Sequence, residues 1–245
     1  MYKTFLYKVL TYLSPNFDKY ISDKFSESKS LNIVDIGFYK GSFTRNIVSK
    51  VMKLNKNIVI KVYSFDPNEK TDLSEFKKFH DRNKFEWNHI HTAIGEFTKK
   101  ENFTILNAFP SSGSSIINIL EDSFWYKSRK FLIDPFGNKD LRTSTVTVEV
   151  DTLDNLFHNE QDINLLKIDV EGFSFQVLKG AKKFLLNNSP ILQVEVLSKK
   201  TEFDIRESEI IAFLDSIDYN LISKKKHYTT HIFSDVICVD YLFEK

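Results

Sequence analysis

Two carboxylates, Asp169 and Glu171, and the ammonium of Lys167 stand where an apolar run gives way to a helical pattern, in Leu165-Leu-Lys-Ile-Asp-Val-Glu-Gly-Phe-Ser-Phe-Gln-Val-Leu-Lys-Gly. Residues two apart on a strand share a face, so the three would line up on one side for as far as the strand runs. A carboxylate within hydrogen-bond reach of an acceptor can remove its proton as general base, a role worth about 10²- to 10⁴-fold in rate. The plainer role is structural, with either acid capping the following helix or pairing with Lys167. Asp169 is favoured for chemistry, and Glu171 stands evenly between chemistry and holding the turn. A divalent metal shared by the two would lack a histidine or third acid at a telling spacing, so no metal site is expected.

A second group lies upstream, in Asn32-Ile-Val-Asp-Ile-Gly-Phe-Tyr-Lys-Gly-Ser-Phe-Thr. An apolar strand runs into Gly37 and Gly41, and Phe43, Ile47, Val48 and Val51 then mark the inner face of a helix. Such a turn lets a ligand approach the backbone and meet the helix N-terminus. The Gly-x-x-x-Gly spacing departs from the dinucleotide fingerprint, and Asp35 would repel a pyrophosphate, so a cationic or zwitterionic ligand fits better. A tight turn without a ligand accounts for the glycine pair equally well. Asp66, 31 residues after Asp35 and at the end of a strand over Ile58 to Phe65, could accept both hydroxyl protons of an adenosine ribose, or could serve Asp-Pro-Asn turn chemistry. His89 and His91 alternate with Ile90 without a third ligand at a useful spacing, which favours a strand role.

These groups need a frame that brings strand ends together. A chain of 245 residues with 42% apolar and 27% charged residues suits one large α/β domain. Net charge is +1, which implies no nucleic-acid surface. Aromatic residues, 23 of them Phe, supply much of the core, while 7 Gly and 5 Pro imply short loops. The lone Cys238 reads as a small core residue of a reducing compartment, and no run is long enough to span a membrane, so a soluble cytoplasmic protein is expected. Residues 1–30 hold an amphipathic helix over Tyr2 to Leu13 that should pack on the domain of residues 31–245. Further strands are predicted over Trp87 to Ile94, Phe103 to Leu106, Thr145 to Val150, Ile163 to Val170, Pro190 to Val196, Tyr219 to Ile222 and Asp235 to Asp240. The serine- and aromatic-rich insertion 107–144 is expected to shape an acceptor pocket, with Ser114 and Ser115 as contacts.

In order along residues 31–240, the chain resembles the FkbM-type family of S-adenosylmethionine (SAM)-dependent methyltransferases. The resemblance rests on Val34-Asp-Ile-Gly-Phe-Tyr-Lys-Gly-Ser-Phe, Ser64-Phe-Asp-Pro-Asn, His91-Thr-Ala-Ile-Gly, the Ser111 to Ser115 cluster, Val150-Asp-Thr-Leu-Asp, Val194-Glu-Val and above all Leu166-Lys-Ile-Asp-Val-Glu-Gly with Val177-Leu-Lys-Gly-Ala. It implies a Rossmann-like class I methyltransferase fold, α/β, with a seven-stranded, mostly parallel sheet whose last strand is antiparallel. It also implies SAM as cofactor. By position, Asp35, Gly37 and Gly41 would surround its methionine part, Asp66 its ribose, and Thr92 and Ala93 its adenine. Phe38 and Tyr39 replace the small residues usual in this loop, so they would flank the cofactor or narrow the entrance, and Asp66 stands where the family often has Glu. The implied reaction is O-methylation of a hydroxyl on a sugar, a glycan precursor or another small metabolite, with Asp169 and Glu171 as the candidate catalytic bases and Lys167 beside the acceptor. Two rivals share parts of the pattern: an NAD(P)-dependent Rossmann oxidoreductase, which should show Gly-x-Gly-x-x-Gly, and a non-catalytic SAM-binding protein, which should lack the two acids.

Overall fold

The computed structural model describes residues 16–106, 143–158, 162–227 and 236–245. Helix α1 (Phe17–Lys24) precedes β1 (Ser30–Ile36), α2 (Ser42–Leu54), β2 (Val59–Phe65), α3 (Ser74–Asn83), β3 (Glu86–Ile90), β4 (Ala93–Ile94) and β5 (Lys99–Leu106). Then follow β6 (Thr143–Asp151), α4 (Leu153–Leu156), β7 (Leu165–Ile168), α5 (Ser174–Lys179), α6 (Lys182–Asn188), β8 (Ile191–Lys199), α7 (Phe203–Asp215), β9 (Asn220–Lys226) and β10 (Val236–Glu244). The predicted Tyr2 to Leu13 helix and most of the 107–144 insertion, Ser114 and Ser115 included, lie outside the described residues.

Seven strands form one sheet in the order β3-β2-β1-β7-β8-β10-β9. β1 pairs in parallel with β2 on one side and β7 on the other, while β10 runs antiparallel to β8 and β9. This is the mostly parallel sheet with an antiparallel last strand that the sequence implies. Parallel strands buried on both faces read as nearly continuous apolar runs, as β1 and β7 do. Their alternate residues serve different cores. Leu31, Ile33 and Leu165 join Ile47, Val48, Val51, Phe76 and Phe79 on the face of α1, α2 and α3. Val34, Ile36, Leu166 and Ile168 join Val177, Leu178, Phe184, Leu185 and Leu214 on the face of α5, α6 and α7.

Chain order reverses between β1 and β7, and in open α/β sheets ligands gather beyond the carboxyl ends of strands at such a switch point. Asp35 and Lys167 are register partners there, as are Ile36 and Ile168. The predicted Trp87 to Ile94 strand proves to be two strands in two sheets. Thr92 N–H bonds back to the Ile90 carbonyl at 3.0 Å, and the chain leaves β3 at that bend for β4. β4 and β5 flank β6 in a separate three-stranded sheet. Residues 103–106 and 145–150, read as two short β runs, are parts of the longer paired strands β5 and β6, with Phe103 opposite Val146. Among the described residues no helix is long and apolar enough to cross a membrane.

Candidate active site

Beyond β1 the chain turns back on itself so tightly that only glycine fits. Gly37 has φ +74°, and a Cβ there would lie 1.7 Å from the Asp169 carbonyl oxygen. The β1 turn is therefore packed against the backbone after β7, and the Gly37 and Phe38 N–H groups both donate to the Phe65 carbonyl. Tyr39 also takes a left-handed conformation, φ 47°. Its N–H donates to Asp66 Oδ2 at 2.7 Å, while Asn68 N–H donates to Asp66 Oδ1 at 2.9 Å. Asp66 thus latches the first turn to its own. Burial pushes its carboxyl up, and the two backbone bonds work against that shift.

The two turns and the chain after β7 enclose a cavity of about 360 Å³, within the range of small-ligand sites. Gly37, Phe38, Tyr39, Asp66, Thr92, Ala93, Lys167, Asp169 and Glu171 all line it. Tyr39 Oη and Thr71 Oγ1 are buried in its wall with no hydrogen-bond partner among the described residues.

Asp35 and Gly41 lie behind this lining. A Cβ on Gly41 would strike the rings of Phe76 and Phe38 at 2.4 and 2.5 Å, so this glycine makes room for aromatic packing. Phe38 meets Phe76 edge-on at 4.8 Å, and Trp87 and His89 extend the same cluster. His89 Nδ1 lies 2.8 Å from Ser64 Oγ, a strand-to-strand role, and burial lowers its pKa to about 4.

Asp35 is fully buried below the turn, its Oδ2 accepting from Thr44 Oγ1 at 2.6 Å. Lys167 Nζ lies 3.2 Å from Asp35 Oδ1 and 3.2 Å from Asp169 Oδ2, and donates to the Gly37 carbonyl at 2.9 Å. The Oδ1 contact is an ion pair without hydrogen-bond alignment. Burial by itself would lower the Lys167 ammonium, but Asp169 and Asp35 outweigh it and hold it above the ordinary lysine value. For Asp35, burial prevails over Lys167 and Thr44 and pushes the carboxyl up. For Asp169, burial raises and Lys167 lowers, and the net result lies below the ordinary value. The Lys167 side chain is 7% exposed and that of Asp169 39%, so the latter is the member that presents its charge to the cavity.

Glu171 sits two residues on, at φ 51°, followed by Gly172 at φ 96°. A non-glycine residue held in the left-handed region beside a cavity is backbone strain of the kind found at functional sites. Burial, then Asp169, push the Glu171 carboxyl up to about 8, with Lys167 opposing.

Sequence reasoning left out Glu195, which burial and the neighbouring charges of Asp169, Glu171 and Asp240 push well above the ordinary range. Cys238 Sγ donates to its Oε1 at 3.0 Å, and burial, then Glu195, raise that thiol. His227 Nε2 lies 2.8 Å from Asp240 Oδ2, a bond that raises the imidazole against its burial. Val194-Glu-Val marked Glu195 as a strand residue, but only the β8–β10 register, with Asp240 opposite Glu195, gathers the group.

A model of the methyltransferase FkbM domain matches residues 35–221. No curated protein matches the sequence. Among solved structures, the methyltransferase FkbM from Methylobacillus flagellatus KT aligns at 15% identity and TM-score 0.52, over 87% of this chain and 44% of its own. The chain thus spans less than half the length of that protein, and at this identity the likeness is one of fold. An rRNA methylase from Streptococcus thermophilus aligns at 12% identity and TM-score 0.46, over 91% of this chain and 93% of its own.

Proposed function

The chain belongs to the FkbM methyltransferase domain family, matched over residues 35–221, and we propose that it uses SAM to methylate a hydroxyl of a small metabolite, such as a sugar or glycan precursor. The observation that carries this reading is the switch-point cavity, walled by the Gly37 turn and Asp66 on one side and by Asp169 and Glu171 on the other. Its residues suit the cofactor. Asp66 is aimed by two backbone bonds and fits ribose hydroxyls, and the orphaned hydroxyls of Tyr39 and Thr71 call for a polar ligand. Asp169, kept ionised by Lys167, gives the cavity a fixed negative charge that complements a sulfonium.

Gly37, Phe38 and Tyr39 would back the amino-acid part, and Thr92 and Ala93 would lie along the adenine. Asp35 would act from behind, by fixing Lys167 under the turn, and Gly41 by admitting the Phe38 ring. Lys167 Nζ stands within 3.2 Å of oxygens of Asp35 and Asp169 and donates to the Gly37 carbonyl, so it positions Asp169 from beneath the turn. Bound here, SAM supplies an electrophilic methyl group. The chain must take the hydroxyl proton, and a base works best when its pKa is near the working pH. Glu171, at about 8, meets that condition, whereas Asp169 is held low by its cation. The pair is therefore assigned Glu171 as proton acceptor and Asp169 as fixed charge, the reverse of the emphasis drawn from the sequence. A net charge of +1 argues for a small acceptor over a polynucleotide.

Thermal shifts with SAM, S-adenosylhomocysteine and NAD test the cofactor. The first two should raise the melting temperature and NAD should leave it unchanged; a response to NAD only would point to the oxidoreductase. Methyl transfer to a panel of sugar and other hydroxyl acceptors then separates an enzyme from a protein that only binds SAM.

A further inference from the structure

We propose that Glu195, His227 and Cys238 form a zinc site beside the cavity. The three stand 32 and 11 residues apart in the sequence, which hides them from any reading by spacing. Sheet pairing assembles them from β8, the residue after β9, and β10. A carboxylate oxygen of Glu195, a ring nitrogen of His227 and Cys238 Sγ all lie within 4.8 Å of one another. Tetrahedral bonds of 2.0–2.3 Å to zinc set ligand atoms about 3.3–3.8 Å apart. Glu195 Oε1 and Cys238 Sγ are already 3.0 Å apart, so side-chain rotation of about an ångström would complete the shell around an ion.

The donor set selects the metal. One imidazole, one thiolate and one carboxylate suit zinc, whereas magnesium and calcium call for oxygen donors. The thiolate and the carboxylate together neutralise the ion's two charges. Asp240 supplies the outer support that a metal-bound histidine usually has, holding His227 Nε2 at 2.8 Å so that the ring is oriented. Cys238 and Asp240 are two apart on β10, so one face of one strand delivers both a ligand and the carboxylate that orients another. The backbone locks the same corner, His227 N–H donating to the Cys238 carbonyl at 3.0 Å. Glu195 Oε2 is buried with no hydrogen-bond partner among the described residues, a polar atom that an ion would satisfy. Three protein ligands is also the count of zinc sites that keep an open position.

Metal analysis of the untagged full chain tests this independently of methyl transfer and of SAM. Protein stripped with chelator and reloaded with Zn²⁺ should retain about one equivalent through gel filtration and melt at a higher temperature. Cys238→Ser and His227→Ala should each lose the ion while keeping the wild-type circular dichroism, and Asp240→Asn should weaken binding about 10- to 100-fold. Because a variant can fail to fold, Co²⁺ gives a second readout on the wild-type chain, a thiolate-to-cobalt absorption band in the near ultraviolet together with strong tetrahedral visible bands. Stripped wild type that takes up neither ion at micromolar concentration, or a folded Cys238→Ser that still holds Zn²⁺ as tightly, would overturn the site.

Discussion

Two sets of acids crowd the carboxyl ends of β1, β7 and β8, and they differ in which charges dominate their surroundings. Asp35 and Asp169 share Lys167, with 3.2 Å on either side of its Nζ. Glu171 and Glu195 stand instead among other carboxylates, and burial together with those neighbours raises both, with Lys167 opposing the shift at Glu171. The lesson is one of charge accounting. A buried acid held against a cation becomes a fixed part of the frame, whereas one crowded by other carboxylates is pushed up, at Glu171 to about 8, where it can exchange a proton near neutral pH. Asp35 shows the first outcome at its limit, because it holds up the turn without touching the cavity.

Removing the bridge is the most severe way to break this contrast. Lys167→Met leaves Asp35 and Asp169 without their counter-charge, and stripping one partner from a buried pair costs about 3–5 kcal/mol. Urea unfolding should record that loss. Lys167→Met combined with Asp35→Asn should recover part of it, since neighbouring sites couple. A single variant as stable as wild type would show that the cation is not what separates the two sets.

Next in size is Glu171→Gln, which should slow turnover about 100-fold while leaving SAM affinity unchanged in calorimetry. In the wild type kcat should rise with pH through about 8 as Glu171 ionises, and that limb should vanish in the variant. Asp169→Asn should slow turnover about tenfold, consistent with a charge-positioning role. Full activity in Glu171→Gln with the larger loss in Asp169→Asn would return the base to Asp169. An effect of similar size, on binding in place of turnover, is expected for Asp66→Ala, which frees Tyr39 N–H and Asn68 N–H and should weaken SAM binding about tenfold.

The sheet was legible because parallel strands buried on both faces leave continuous apolar runs, and the Gly37 turn and Asp66 because strand-to-helix turns need glycine and strand ends attract acids. Ranking the acids was not legible. Lys167 looks like an ordinary mid-strand lysine until the β1–β7 register puts it beside Asp35. Position in the motif puts Asp35 at the cofactor loop but does not say that its side chain is buried beneath the turn. Glu195, His227 and Cys238 were invisible for a related reason, since antiparallel pairing of β8 with β10 joins residues whose separation follows no local period. The bend at Thr92 escaped because no glycine or proline marks it, only His91 and Thr92 between Ile90 and Ala93.

The pH dependence of stability sharpens the contrast most gently. Glu171 has an ordinary value of 4.5 and a folded value of about 8. Below pH 4.5 it is protonated in both states and contributes no difference. From pH 4.5 to 8 the unfolded chain gives up the proton while the folded chain keeps it, so folding loses ground as pH rises, and above 8 the loss is complete. Asp169 has the opposite sign: its folded value is depressed, so its contribution is present at neutral pH and disappears in acid. Glutamine at 171 carries no titrating proton, so the stability of Glu171→Gln relative to wild type should grow from pH 5 to pH 8.5 and then level off. Urea midpoints of the two proteins at those pH values measure the difference directly. An unchanged gap would mean that Glu171 titrates as an ordinary surface acid, which would remove the distinction between the raised and the lowered carboxylate of the cavity at the residue proposed to take the proton.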